Sequence, residues 1–122
     1  SYDHLLKVKH ELEDRFGKIN ESLEVYMYEE WFEKIAKKLE IRNVRQNERE
    51  VVIELPEKIS NCIKGDKLFL EVYNISQNFR LRYENKKIVI SLVLKGLEDH
   101  FVYYIVPLMD KILHEFLINH TD

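Results

Sequence analysis

The sequence is poor in the residues that break, staple or cradle: among 122 residues there are three Gly, two Pro and one Cys. Phosphate binding by a nucleotide enzyme needs closely spaced glycines, so that backbone amides can approach the anion. Gly17, Gly65 and Gly96 stand too far apart for either G-x-x-x-x-G-K-[ST] or G-x-G-x-x-G. Gly17-Lys18 is therefore no P-loop, and nucleotide chemistry of that kind is excluded. The lone Cys62 rules out an internal disulfide and suits a reducing cytosol. Between Asn61 and Ile63 it reads as a small buried hydrophobe rather than a nucleophile. No Ser/Gly-rich or Pro-rich run divides the chain, and no repeat of about 20 to 50 residues recurs. A single domain over residues 1–122 is expected. No apolar run nears the roughly 20 residues that span a bilayer, and no basic-then-apolar leader is visible. The expectation is a cytoplasmic protein without a membrane partner. The opening Ser1-Tyr2-Asp3, with no initiator Met, is expected of a fragment cut from something longer, though processing or a tag scar would look the same; the fragment is expected to be monomeric.

Charge of one sign is also lacking. Lys and Arg number 19 against 22 Asp and Glu, a formal net charge of −3, and the two signs are interspersed. Nothing draws the chain as a whole to a phosphate backbone, so no direct nucleic-acid partner is expected. What is present is apolar material: 45% hydrophobic residues, including seven Tyr, six Phe and one Trp, suffice to bury one core.

Leu5, Val8, Leu12 and Phe16 recur at spacings of three and four, the period of a helix with one apolar face. Gly17 suits the left-handed cap that ends it. Asn20 is a good N-cap for a second helix, in which Leu23, Met27, Trp31, Ile35 and Leu39 repeat every four residues, widened by Tyr28, Phe32 and Ala36. From Ile41 the period changes. Val44, then Val51, Ile53 and Leu55, alternate with mostly polar residues across the tip Arg45-Gln46-Asn47-Glu48, which predicts a β-hairpin stopped by Pro56. Asp66 is placed to cap a short helix with Leu68, Phe69, Val72 and Tyr73 on one side, with strand as the rival reading. Phe79, Leu81 and Tyr83 alternate with Arg80, Arg82 and Glu84, and Asn85-Lys86 turns the chain into Ile88 to Leu94 as a second hairpin. Leu97, Phe101, Ile105, Leu108, Ile112 and Phe116 follow a helical period interrupted by Pro107, where the helix either kinks or restarts. The assembled fold class is α+β: two N-terminal helices, two hairpins forming a small mixed or antiparallel sheet with a short helix between them, and a long C-terminal helix.

Reactive constellations are not apparent. His4, His10, His100, His114 and His120 lie near the two ends without H-E-x-x-H or Cys/His ligand spacing, so no metal or cofactor is expected. The pairs Glu11 with Asp14, Glu29 with Glu33, and Glu98 with Asp99 sit in hydrophilic surroundings that would leave each carboxylate ionised rather than poised as an acid. Ser22, Ser60, Ser76 and Ser91 occur in no nucleophile-elbow context. The run Tyr73, Phe79, Arg80, Leu81, Arg82, Tyr83 could stack single-stranded bases only if aromatics and cations shared one surface. Strand alternation sends Phe79, Leu81 and Tyr83 to the core face and the arginines to the other, leaving Arg80 and Arg82 for a protein contact.

The acidic turn Glu11-Leu12-Glu13-Asp14-Arg15-Phe16-Gly17, then a helix ending Ala36-Lys37-Lys38-Leu39-Glu40-Ile41, resembles the C-terminal domain of the bacterial transcription-repair coupling factors, the Mfd family. The likeness runs from about Leu5 to the last helix, through the Val51 to Leu55 strand. The family commonly has Pro where Lys18 and Asn20 stand and Gly where Glu40 stands. The resemblance implies a non-catalytic fragment of an ATP-dependent DNA translocase that pushes stalled RNA polymerase forward. It implies an autoinhibitory domain that packs on the parent's UvrB-like N-terminal module, hides the surface recognised by UvrA, and meets RNA polymerase only through the parent. By the same resemblance Glu11, Asp14 and Arg15 are the partner-binding residues, the acids facing arginines. Spacing agrees in one respect: Glu11 and Asp14, three apart, fall on one side of a helix, away from its apolar stripe. The alternative is a free-standing α+β adaptor or nucleic-acid-binding module.

Overall fold

The computed structural model describes residues 2–120; Ser1, Thr121 and Asp122 lie outside the described residues, as do the side chains of Tyr2, Asn119 and His120. In chain order the elements are α1 (Tyr2–Phe16), α2 (Glu21–Lys38), β1 (Asn43–Gln46), β2 (Glu50–Glu54), α3 (Glu57–Ser60), α4 (Gly65–Ile75), β3 (Phe79–Glu84), β4 (Lys87–Val93) and α5 (Val102–His120). This is the α+β arrangement expected, with one further helix, α3. Four residues are too few to show a helical period, so α3 left no signal beyond the Pro56 that precedes it.

Caps set the helix ends. Gly17, at φ +81, donates its N–H to the Glu13 carbonyl at 2.8 Å and closes α1. Asn20 Oδ1 accepts the Leu23 N–H at 2.8 Å and starts α2. At the other end of α2, Glu40 N–H donates to Lys37 O and Ile41 N–H to Ala36 O, the paired bonds of a Schellman motif, with Glu40 at φ +58. Glu40 thus holds a left-handed conformation that suits glycine. At the start of α4 the cap position is Lys64, not Asp66, which lies in the first turn and accepts the Lys67 N–H at 2.9 Å. Pro107 does not begin a new helix; α5 starts at Val102 and runs through it, so Pro107 sits inside the helix.

The sheet is wholly antiparallel, in the order β1-β2-β4-β3. The two hairpins therefore join through β2 and β4, with Val51 opposite Leu92 and Ile53 opposite Ile90. Those residues, with Leu55, Phe79 and Ile88, belong to one buried cluster with Ile35 and Leu39 of α2, Leu68 and Val72 of α4, and Ile105, Leu108, Met109 and Ile112 of α5. On the opposite face the register aligns Arg45, Val52, Ser91 and Arg80 in one row, and Asn43, Glu54, Val89 and Arg82 in the next. Val52 and Val89 are buried but stand outside that cluster.

Where Pro56 ends β2, the ladder is completed by a side chain. Ser60 is buried; its hydroxyl accepts the Ile88 N–H at 2.9 Å and faces the Pro56 and Leu55 carbonyls at 3.0 and 3.3 Å. Ser60 is a structural residue, a strand-end partner in place of backbone. Ser60→Ala leaves the Ile88 amide buried and unbonded and should lower unfolding free energy by about 1 to 3 kcal/mol in urea titration. Glu40→Gly removes the left-handed strain and should raise it by about 1 kcal/mol in the same assay.

Candidate protein-interaction surface

α1 is held by its first turns. Leu5 is buried and Val8 and Leu12 are half-buried, but Phe16, expected on the same stripe, is 75% exposed. The pairing of Lys9 Nζ with Glu24 Oε2 at 2.6 Å explains the difference. With residue 9 opposite residue 24 in an antiparallel pair, Phe16 falls beyond the start of α2 and finds only the connecting turn. Tyr83 departs from expectation in the same way. Phe79 is buried and Leu81 half-buried, as alternation predicts, whereas Tyr83 is 66% exposed where β3 runs towards its hairpin tip.

Glu11, Asp14 and Arg15 are all exposed or half-exposed, and among the described residues none of them forms an ion pair. Arg15 occupies the last turn of α1, where a cation complements the helix dipole. Asp14 lies beside the same negative end, where an anion is disfavoured. The structure brings the three residues onto the free end of α1, next to the exposed ring of Phe16.

Elsewhere the surface is grooved. A cleft of about 510 Å³ between α4 and α5 is lined by Lys64, Lys67, Lys111, Glu71, Asp110 and Glu115, cations against carboxylates. Another of about 410 Å³ lies where Lys18 and Ile19 meet Glu24, Asp99 and Tyr103. Burial alone would raise the Glu24 pKa, but hydrogen bonds from Lys9 and Tyr103 and the lysine charge outweigh it, holding the carboxyl below its ordinary value. Burial and then the bond to Glu24 push the Tyr103 phenol well above its own. One group stays ionised and the other protonated at neutral pH, the opposite of a pair poised for proton transfer. Among the described residues no three His, Cys, Asp or Glu converge as metal ligands, and no helix is long and apolar enough to cross a membrane. His100 serves the backbone, its Nδ1 accepting the Val102 N–H at 3.2 Å at the start of α5.

Two arrangements were not legible as sites. The Lys9, Glu24 and Tyr103 contact joins three elements distant in sequence, and no spacing announces it. An apolar groove beside β3 is lined by Leu68, Phe69, Leu81 and Tyr83. Its one signal is that Phe69, Tyr73 and Tyr83 are more aromatics than the core takes up.

No family model matches the chain, and no curated protein matches it in sequence. Its fold is similar to the crystal structure of the C-terminal domain of transcription-repair coupling factor, with a TM-score of 0.70 over 96% of this chain and 73% of that one. Identity across the match is 11%, so what is shared is the arrangement of the backbone.

Lys9 and Glu24 tie the middle of α1 to α2. Because the folded Glu24 pKa is depressed, its stabilisation is fully present above the ordinary glutamate pKa of about 4.3 and is lost as pH falls through the lower folded value. Glu24→Gln should therefore cost about 1 kcal/mol at pH 7, with the gap from wild type closing below about pH 4, read by urea titration across pH.

Proposed function

We propose that this chain is a non-catalytic regulatory docking domain of the transcription-repair coupling type. In this reading it packs on the UvrB-like N-terminal module of a larger parent and covers the surface that UvrA recognises. The ATP-driven translocation and the contact with RNA polymerase belong to other parts of that parent, and the setting is the cytoplasm. The observation that carries the reading is the free end of α1 on a backbone similar, over nearly its whole length, to a coupling-factor C-terminal domain. There Glu11 and Asp14 stand without an ion pair among the described residues, and Asp14 sits against the helix dipole. A charge placed against local preference, with no ion pair among the described residues to offset it, is what a partner's cation would compensate.

The energetics suit a releasable cover. Exposed ion pairs contribute about 0 to 1 kcal/mol each, too little to hold separate molecules together. For a domain tethered at roughly millimolar effective concentration, a few such contacts around an apolar residue such as Phe16 are enough. A lock of that strength opens when a competing partner arrives.

The test uses charge reversal. Glu11→Lys with Asp14→Lys should leave the circular dichroism of the domain unchanged and its melting temperature no lower, while weakening its binding to a UvrB-like N-terminal module by about tenfold or more. In a parent carrying both, UvrA affinity and ATPase activity should rise. Unaltered binding to the module would remove these two residues from the interface. Salt-sensitive micromolar binding of the isolated domain to duplex or single-stranded DNA would favour a nucleic-acid-binding adaptor instead.

A further inference from the structure

The second surface lies on β3, at an edge of the sheet. In the β3–β4 ladder the Val93 N–H donates to the Asn78 carbonyl at 2.9 Å, which makes Asn78 and Val93 a hydrogen-bonded pair. Following the register, Arg80, Arg82 and Glu84 also turn their backbone groups towards β4, so those of Phe79, Leu81 and Tyr83 point outwards. Phe79 is already served: its N–H approaches the Ser76 carbonyl at 3.5 Å, and its carbonyl accepts from Arg80 Nη1 at 2.8 Å. Leu81 and Tyr83 keep outward N–H and C=O groups with no backbone partner among the described residues. Two ladder steps are thus open to a further strand.

The side chains of the same two residues line an apolar groove of about 300 Å³ between β3 and α4, with Ile63, Leu68, Phe69 and Ile88. Phe69 is 48% exposed and meets Tyr73 edge-on at 4.7 Å, so the rim of the groove is aromatic and wet. On the other face of the strand stand Arg80 and Arg82. Arg82 Nε bonds Glu84 Oε2 at 2.6 Å and Arg80 uses Nη1 on the Gln77 and Phe79 carbonyls, which leaves further donors on each guanidinium. The sheet's other edge, β1, has all four residues exposed.

We infer that the outer edge of β3 takes up an extended segment of a partner protein as a fifth strand, one in which apolar and acidic residues alternate. Main-chain bonds to Leu81 and Tyr83 supply affinity, and alternate side chains are read on opposite faces. The partner's apolar residues enter the groove against Phe69 and Leu68. Its acidic residues lie across from Arg80 and Arg82, where opposite charges on neighbouring strands attract and lysines would be repelled. Arginines at an edge discourage indiscriminate pairing, and an acidic strand is the one they admit. This surface uses elements other than α1 and stands whether or not the α1 docking proposed above is correct.

The experiment titrates the 15N-labelled chain with the synthetic peptide acetyl-Glu-Val-Glu-Phe-Glu-Val-amide, with its lysine counterpart, and with a version carrying Pro at the Phe position. Saturable shifts and slowed amide exchange at Leu81 and Tyr83 are expected with the acidic peptide, and binding about tenfold weaker or worse with the other two. Arg82→Glu should weaken the acidic peptide about tenfold and favour the lysine one. Tyr83→Pro, which deletes an outward donor, should abolish binding; should that variant unfold, the Arg82→Glu comparison and the wild-type amide exchange decide alone. The inference is overturned by absence of saturable shifts, by equal binding of the lysine peptide, or by shifts confined to other elements. It is equally overturned if protection of the Leu81 and Tyr83 amides grows with protein concentration alone, since the edge then pairs with a second copy of this chain.

Discussion

Everything in this molecule leans on the burial of one face of the β2–β4 pair beneath α5. Val51, Ile53, Ile90 and Leu92 sit opposite one another at the centre of the sheet, and Leu108, Met109 and Ile112 are wholly buried in the same cluster. Burying such side chains stabilises by about 1.5 to 3 kcal/mol each, far above any surface contact in the chain. The same burial explains why α5 tolerates Pro107, whose ring and missing N–H cost a helix interior about 3 kcal/mol. Residues on both sides of the proline, Val106 and Leu108, are fully buried and hold the helix in place.

A core centred there leaves the periphery under-supplied. α1 reaches it with Leu5 and then runs out past the start of α2, so that its last turns carry Glu11, Asp14, Arg15 and Phe16 towards solvent. β3 reaches it with Phe79 and then overhangs, with Tyr83 in solvent and α4 beside it offering Phe69. Both outlying surfaces combine an aromatic ring with charge of one predominant sign: acidic on α1, basic on β3. The two docking roles proposed for this chain rest on that composition. Glu24 and Tyr103 are shifted in opposite directions, one kept ionised and the other protonated, and the ionised Glu24 ties Lys9 of α1 to α2.

Much of the architecture was legible in the residues. The Asn20 cap, the Gly17 stop, the Asn85-Lys86 turn with both residues at positive φ, and the helical or alternating periods are local signals, set by backbone sterics and by which face must be apolar. The resemblance in the acidic turn pointed to a fold that the structural likeness shares. The role of Glu40 was half visible: the family's preference for glycine there matches the left-handed backbone that the Schellman bonds impose.

What the amino-acid order decided alone is the type and extent of most elements, because a period of two or 3.6 residues needs no distant partner to be read. Tertiary structure decided which members of each stripe are buried, since Phe16 and Tyr83 satisfy their patterns and lack only a neighbour long enough to cover them. It also decided the β1-β2-β4-β3 order, the Ser60 bond to Ile88, and the fastening of Glu24 by Lys9 and Tyr103. Each of these joins residues far apart in the chain through space, and the chemistry of a contact is written in distance rather than in sequence.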